Sequence, residues 1–250
     1  TENMFKMPLR KRTENLTLRN MCFNEKDMWQ KRTEVLIGKE NLDKLKNSHI
    51  TVVGLGGVGG YVAVLLARAG IENFTLIDFD KVEETNLNRQ IIATQSTLGM
   101  PKTEALSNLL KSINPSVKLT LINERLTTNN LEKLINKNAD YVIDAIDSVK
   151  DKTDLCDYCY KNSIKIISSM GTGNRFSVPE YQVMDIYKTE NDGLAKAMRK
   201  NLKARGVKKL KVVATKSMAI KSDGVVGSIS YHPCACACVI CGEVVKNLIK

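Results

Sequence analysis

Four glycines follow a short apolar run in the order Gly54-x-Gly56-Gly57-x-Gly59, and an Ala- and Leu-rich segment comes after them. A glycine turn between a strand and a helix lets the backbone approach a phosphate, and the free N–H groups at the helix N-terminus attract that anion. Asp78 ends the next apolar run, 19 residues after Gly59, where a carboxylate can accept hydrogen bonds from ribose hydroxyls. The spacing predicts a nucleotide-binding site, with tight strand–helix packing around a solvated Asp78 as the alternative.

Charged residues later in the chain bear on which nucleotide binds. Arg89 and Lys102 supply cations that could neutralise a triphosphate, which carries more charge than the pyrophosphate of a dinucleotide. Asp147 follows a later apolar run, where its carboxylate could hold Mg²⁺ against phosphate oxygens. Each residue alone could be a solvated surface charge. Together, on loops at one predicted edge of a sheet, they favour ATP and Mg²⁺ over a nicotinamide cofactor.

Short apolar runs alternate with amphipathic stretches, which is typical of a parallel sheet with helices on both faces. The expected strands are 49–53, 74–77, 117–122, 141–143 and 164–167, and the expected helices are 40–47, 61–69, 101–113, 129–136, 150–161, 194–205 and 233–249. Two later strands, 181–186 and 211–214, are expected to extend the sheet in the antiparallel sense. The prediction is an α/β, Rossmann-like, doubly wound fold whose ligands bind beyond the carboxyl ends of the parallel strands.

The 250 residues are expected to divide into a basic N-terminal extension, residues 1–29, and one domain, residues 30–250. We expect the extension to be partly disordered and to dock through Phe23 and Trp29. The sequence has no run of 18 apolar residues, which argues against a transmembrane helix, and its first residues lack the apolar segment of a secretory signal. With seven cysteines, an odd number, this favours a cytoplasmic protein with reduced thiols.

Basic residues outnumber acidic ones, 38 to 27, which gives a net charge of +11. The excess is concentrated between residues 187 and 211, where nine Lys and Arg face two Asp and Glu. Such a charge favours polyanionic partners. We expect the basic helix of this segment to contact RNA phosphates, with a solvated basic face as the alternative; the residues concerned are Lys196, Arg199, Lys200, Lys203 and Arg205.

Seven segments resemble the ubiquitin-activating-enzyme superfamily, in its bacterial ThiF/MoeB branch, in that family's order and with its spacing. They are Arg32-x-x-x-Leu36-x-Gly38, Gly54-Leu55-Gly56-Gly57-Val58-Gly59, Asp78-Phe79-Asp80, Asn86-Leu87-Asn88-Arg89-Gln90, Gly99-x-Pro101-Lys102, Ile113-Asn114-Pro115 and Asp144-x-x-Asp147. The resemblance covers about residues 30–250. Within the branch, the stretches 32–40, 141–148, 185–189 and 194–213 are most similar to the tRNA threonylcarbamoyladenosine dehydratases.

The resemblance implies an enzyme that uses ATP and Mg²⁺ to activate the carboxylate of threonylcarbamoyladenosine beside the tRNA anticodon, and then closes a ring with loss of water. It implies a homodimer and leaves open a sulfur-transfer protein as a further partner. It assigns Arg32, supplied by the other subunit, to the γ-phosphate and Asp147 to magnesium. The other nucleotide-site residues that it implies are Gly54, Gly56, Gly57 and Gly59, Arg89 and Lys102 at the phosphates, Asp78 at the ribose, Asp80, Asn86 and Gln90.

Other functions remain open at this point. The pairs Cys156-x-x-Cys159 and Cys238-x-x-Cys241 have a spacing found in zinc sites, but both fall in predicted helices, so we expect no zinc. No cysteine lies between Gly171 and Gly227, where the family's thioester-forming thiol would fall, and His49 and His232 are expected to be non-catalytic. Alternatives are adenylation of the C-terminus of a ubiquitin-like sulfur carrier, an NAD-binding redox protein and a non-catalytic tRNA-binding module.

Overall fold

The computed structural model describes residues 25–221 and 224–250. Residues 1–24, including Phe23, lie outside the described residues, so the expected extension can be followed only at its end. There, Glu25–Gln30 form a 3-10 helix. The side chain of Trp29 in that helix is 41% exposed, so much of its ring is left uncovered by the described residues.

Seven strands form one sheet in the order β3-β2-β1-β4-β5-β7-β6. Their bounds are β1 (His49–Val53), β2 (Asn73–Ile77), β3 (Lys118–Ile122), β4 (Tyr141–Asp144), β5 (Ile166–Ser169), β6 (Tyr181–Asp185) and β7 (Lys211–Thr215). Strands β3, β2, β1, β4, β5 and β7 pair in parallel, and β6 pairs antiparallel with β7. The predicted α/β, doubly wound and mainly parallel fold with a late antiparallel addition is confirmed.

Eight α-helices accompany the sheet in the described part of the chain. They are α1 (Lys31–Ile37), α2 (Lys39–Asn47), α3 (Gly59–Ala69), α4 (Lys102–Ile113), α5 (Leu131–Leu134), α6 (Val149–Lys161), α7 (Gly193–Ala204) and α8 (Tyr231–Leu248). The helix expected at 129–136 is the poorest match, because only four residues are helical. Asn130 Oδ1 accepts from Thr127 N at 2.7 Å and Asn136 Oδ1 from Asn138 N at 2.9 Å, so both side chains favour turns over a longer helix.

Apolar residues alternate between the two faces of the central strands, and helices cover both faces. On one face, Ile50 and Val52 of β1 pack in a cluster with α3, α4 and α8. On the other, Val53 and Val142 pack with α5 and α6. Polar groups that must reach a ligand are therefore confined to the strand ends. Within the described residues, no helix has the length and apolar character needed to cross a membrane.

Candidate active site

A cavity of about 800 Å³ opens at the carboxyl ends of the parallel strands, a volume in the usual range for small-molecule sites. Its walls come from the segments that follow four strands: Gly54 to Val58 after β1, Asp78 to Asp80 after β2, Ala145 to Asp147 after β4 and Met170 to Arg175 after β5. Arg89, Gln90 and Lys102 complete the nucleotide-site side of the wall. The sheet edge predicted from the sequence is thus where these residues meet.

The glycines of the turn serve two different purposes. Gly54 has φ +85°, and a Cβ there would lie 2.6 Å from the Ala145 carbonyl oxygen. A Cβ on Gly59 would lie 1.8 Å from the Gly54 carbonyl oxygen, so both positions are closed to a side chain by backbone. Gly56 and Gly57 line the cavity together with Gly54, and at these two positions the absence of a side chain leaves the backbone open to a ligand.

Asp78 joins the end of β2 to the glycine turn. Its Oδ2 accepts from Leu55 N at 2.6 Å and its Oδ1 from Asp80 N at 2.8 Å. Burial raises the pKa of Asp78 above its ordinary value, although Lys102 and the two N–H groups act in the opposite direction. Asp78 also lines the cavity, so its carboxylate both organises the site and faces it.

Lys102 begins helix α4 and is held against Asp80. Its Nζ lies 2.8 Å from Asp80 Oδ2, with the lysine side chain 8% exposed and the aspartate side chain 46% exposed. Both residues line the cavity. A cation whose partner is a half-exposed carboxylate at a cavity wall can exchange that partner for a phosphate.

The segment from Asn86 to Gln90 follows a short 3-10 turn. Arg89 lines the cavity and donates through Nη1 to Thr85 O at 2.8 Å. Gln90 also lines it, and its buried Oε1 has no hydrogen-bond partner among the described residues. Asn86 does not line the cavity; its Oδ1 accepts from Glu83 N at 3.1 Å, which holds the turn in shape.

Asp147 follows β4 with an exposed side chain that lines the cavity. Within residues 25–221 and 224–250, no group of three or more His, Cys, Asp or Glu side chains is arranged to hold a metal ion by itself. Mg²⁺ at phosphate sites usually takes one or two carboxylates and completes its shell with phosphate oxygens and water. The Asp147 carboxylate fits that donor set.

The far side of the cavity was not anticipated from the sequence. Arg175 and Asp192, each with its side chain 2% exposed, lie 3.5 Å apart there. Asp192 accepts from Gly171 N at 2.8 Å, and Arg175 donates to carbonyl oxygens of Gly171 and Ser217. The pair joins the loop after β5 to the start of α7. The glycine-rich stretch after a parallel strand was the signal that could have indicated it.

Arg32 lies on α1, where it is exposed and does not line the cavity of its own chain. Two apolar side chains of the same helix are also exposed, Val35 at 76% and Leu36 at 83%. The structure thus does not bring Arg32 together with Arg89 and Lys102 in one chain.

The five basic residues predicted to bind tRNA fall into two groups. Lys196, Lys200 and Lys203 are exposed, and their spacing of four and three places them on one face of α7. Arg199 donates to Thr189 through its carbonyl and hydroxyl oxygens, and Arg205 lies 2.6 Å from Asp154 Oδ1. The arginines therefore tie α7 to its neighbours. We name Lys196, Lys200 and Lys203 the lysine stripe. The helix that carries it begins at Gly193, which lines the cavity.

The cysteine pairs fall in helices, as predicted from the sequence. Cys156 and Cys159 are buried in α6, and burial raises the pKa of Cys159 to about 12. Cys238 and Cys241 lie in α8, where burial raises the pKa of Cys241 to about 12. Such thiols stay protonated near neutral pH and are poor nucleophiles. That zinc does not bind stays a prediction.

Comparison with known proteins places this geometry in context. The ThiF family model matches residues 30–250. A tRNA threonylcarbamoyladenosine dehydratase of Bacillus subtilis is 41% identical over 178 residues, which are 71% of this chain and 70% of that protein. Crystal structures of E. coli tRNA N6-threonylcarbamoyladenosine dehydratase in complex with ATP and with AMP have TM-scores of 0.83 and 0.85 and identities of 32% and 35%. Each comparison covers 89% of this chain and 96% of the solved chain.

Similarity to an adenylating enzyme of another kind is more limited. The molybdopterin-synthase adenylyltransferase of Escherichia coli is 37% identical over 126 residues, which are 50% of this chain and 50% of that protein. The shared part is shorter than the part shared with the dehydratases.

Proposed function

The chain belongs to the ThiF family, and from this premise we propose that it is an ATP-dependent tRNA threonylcarbamoyladenosine dehydratase. One observation carries the proposal: Asp78, Arg89, Lys102 and Asp147 meet at one cavity. They do so in a fold that aligns over 89% of its length with a dehydratase solved in complex with ATP. The cavity is the proposed site of both ATP and the modified nucleoside.

The proposed reaction has two steps. The threonylcarbamoyl carboxylate, which is ionised at neutral pH, attacks the α-phosphorus of ATP without a general base. An oxygen–phosphorus bond forms, the bond to the β-phosphate breaks, and pyrophosphate leaves. An internal nucleophile of the same nucleoside then attacks the activated carbonyl, the carbon–oxygen bond to AMP breaks, and a ring closes. The nucleophile gives up its proton as the ring closes, and one carboxylate oxygen leaves on AMP, so the nucleoside as a whole loses the elements of water.

The residues of the cavity support this chemistry through charge. Arg89 and Lys102 would neutralise the negative charge that develops on the α-phosphate and on pyrophosphate. For Lys102 this means exchanging Asp80 for a phosphate. Asp78 keeps lone pairs beyond its two N–H contacts, so it can also accept from a ribose hydroxyl. Asp147 would hold Mg²⁺, which supplies Lewis-acid stabilisation of the phosphates when it is bound.

A homodimer would bring the exposed Arg32 to the nucleotide of the other subunit. Val35 and Leu36 on the same helix offer apolar surface for such an interface, since large exposed apolar side chains that lie together often mark a contact. We further propose that tRNA lies along the lysine stripe, whose helix starts at the cavity wall. A cytoplasmic location and a sulfur-transfer partner belong to the same proposal.

A second adenylation function has some support. The similarity to a molybdopterin-synthase adenylyltransferase makes the C-terminus of a ubiquitin-like carrier an alternative substrate. The lysine stripe favours the tRNA instead, because a phosphate at every nucleotide of an RNA backbone can pair with several lysines along one helix face.

Pyrophosphate release from ATP separates these functions. The full chain is supplied with tRNA purified with the threonylcarbamoyl group, with tRNA lacking it, or with a small ubiquitin-like carrier. Release only with the modified tRNA supports the dehydratase. Release only with the carrier supports the alternative, and release with neither contradicts both.

A further inference from the structure

A fully buried ion pair lies beneath the cavity, behind the loop that carries Asp147. Lys152 Nζ lies 3.0 Å from Asp144 Oδ2, and both side chains are 0% exposed. Removing two charges from water is compensated only when good geometry and further hydrogen bonds complete the arrangement, and apolar residues in the same place often stabilise a fold as well. The position of this pair therefore suggests a task beyond fold stability.

The pair holds both backbone polar groups of one residue. Asp144 Oδ1 accepts from Ile146 N at 3.1 Å, and Lys152 Nζ donates to Ile146 O at 2.9 Å. Ile146 lines the cavity and immediately precedes Asp147. The hydrogen bond from Lys152 therefore fixes the peptide group that joins Ile146 to Asp147. The orientation of this peptide group sets the direction in which the Asp147 side chain points.

Further contacts anchor the pair to the sheet. Asp144 Oδ2 also accepts from Ser168 Oγ at 2.6 Å, which links β4 to β5. Ala145, between Asp144 and Ile146, donates to Val53 O at 2.8 Å. The Ala145 carbonyl also closes the space at Gly54. Movement of this loop would therefore disturb the glycine turn as well as Asp147.

We propose that Lys152 and Asp144 are positioning residues for adenylation, which hold the Asp147 carboxylate where it meets Mg²⁺ and the ATP phosphates. This inference rests on the proposed role of Asp147. A displaced carboxylate would bind the metal–nucleotide complex more weakly, because such sites tolerate little error in ligand placement.

The test uses a variant that leaves no buried charge unpaired, Asp144→Asn with Lys152→Met. The asparagine oxygen can still accept from Ile146 N, while the methionine fills the volume of lysine and removes the donor to Ile146 O. Lys211→Met is the matched control, because it breaks the ion pair of Lys211 with Glu243 between β7 and α8, outside the cavity lining. Thermal unfolding establishes the temperature at which every variant is folded.

Two quantities are then measured on the full chain. The first is the dissociation constant of ATP with Mg²⁺ relative to that with EDTA, by equilibrium binding. The second is kcat for pyrophosphate release with the modified tRNA. We expect the double variant to lose most of the Mg²⁺ effect on ATP binding and to lower kcat by about tenfold or more, while the control resembles the wild type.

A comparison in the Asp147→Asn background shows whether the pair acts through Asp147. If it does, adding the double variant to Asp147→Asn has little further effect, because the effects of coupled residues do not add. Independent, multiplicative losses would overturn the positioning role and leave the dehydratase proposal intact. Wild-type activity in Asp147→Asn itself would instead contradict the role that the proposed function gives to Asp147.

If the double variant does not fold, Ser168→Ala replaces it. This change removes one hydrogen bond from Asp144 without unpairing a charge. A smaller Mg²⁺ effect on ATP binding supports the inference. Wild-type values of both the Mg²⁺ effect and kcat, in either variant, would overturn it.

Discussion

Asp78 Oδ2 lies 2.6 Å from the backbone nitrogen of Leu55, so the acid that directly follows β2 holds the glycine turn that follows β1. The two strands pair in parallel, and their carboxyl ends meet at the cavity. Asp78 thus has a structural task before any ribose binds. Because Asp78 both holds the turn and lines the cavity, a substitution there can be measured separately for its effect on stability and for its effect on ATP binding.

Replacing Asp78 by Asn is expected to reduce both stability and ATP binding. The amide has one oxygen, so it can keep only one of the two N–H contacts, and leaving a buried donor unpaired costs about 1–3 kcal/mol. Urea unfolding measures the loss. Asp43→Asn is the control: its side chain is 48% exposed and forms a surface ion pair with Lys39, so the variant should stay within about 0.5 kcal/mol of the wild type. An Asp78→Asn protein as stable as the wild type would show that these hydrogen bonds do not hold the turn.

Gly54→Ala is expected to destabilise the protein by about 1–3 kcal/mol, because the residue has φ +85° and its Cβ would meet the Ala145 carbonyl. Gly242→Ala, in the middle of α8 with nothing within 4 Å of its Cβ, should instead stabilise it by about 0.5–1 kcal/mol. The denaturant midpoint of unfolding should be lower than that of the wild type for Gly54→Ala and higher for Gly242→Ala. Equal effects would contradict the backbone conformation described for the turn.

His232 makes stability depend on pH. Its ring is fully buried, with Nδ1 3.1 Å from the Tyr181 hydroxyl, and burial lowers the pKa of His232. The unfolded chain therefore binds a proton more readily, so this contribution to stability is present above a pH of about 6.5 and is lost as the pH falls toward the lowered pKa.

His232→Gln should reduce the change of the free energy of unfolding with pH. The measurement is the free energy of unfolding of both proteins at several pH values between about 7.5 and 5. The wild type should lose more stability than the variant across this range. Parallel curves for the two proteins would show that His232 is not the group responsible.

The lysine stripe predicts a specific pattern of tRNA binding. Replacing Lys196, Lys200 and Lys203 by Ala should weaken tRNA binding and reduce the slope of log K against log salt by up to about one per lysine. The control for net charge removes three other exposed lysines that lie outside α7 and the cavity lining, Lys111, Lys118 and Lys165, each replaced by Ala. Binding measured over a range of salt that did not distinguish the stripe from the control would contradict an RNA contact at α7.

Arg205→Ala is expected to act differently from the lysines. Arg205 pairs with Asp154, whose side chain is 3% exposed, so the substitution leaves a buried carboxylate with one partner fewer. Thermal unfolding should detect a loss of stability that the lysine substitutions lack. If Arg205→Ala lowers tRNA affinity but not stability, the arginine belongs with the stripe after all.

The sequence predicted the sheet edge well because strand ends, glycines and single charges leave local signals. The strand β1, the turn at Gly54 and the placement of Asp78, Lys102 and Asp147 follow from such signals. The sequence could not show that the lysines of α7 are exposed while its arginines have partners within the protein. Arg199 contacts Thr189 and Arg205 contacts Asp154 only because the fold brings these residues together. The same holds for Arg175 with Asp192, which are joined only by the packing of separate loops.

The cavity at the carboxyl ends of the strands is the proposed site at which a modified nucleoside in tRNA is dehydrated. The most direct measurement is mass spectrometry of the nucleosides of tRNA carrying threonylcarbamoyladenosine, after incubation with the full chain and ATP. We expect a nucleoside lighter by one water, with AMP and pyrophosphate each formed in the same amount, and no change without ATP. An unaltered nucleoside, from protein that is folded and binds ATP, would show that this chain does not dehydrate threonylcarbamoyladenosine.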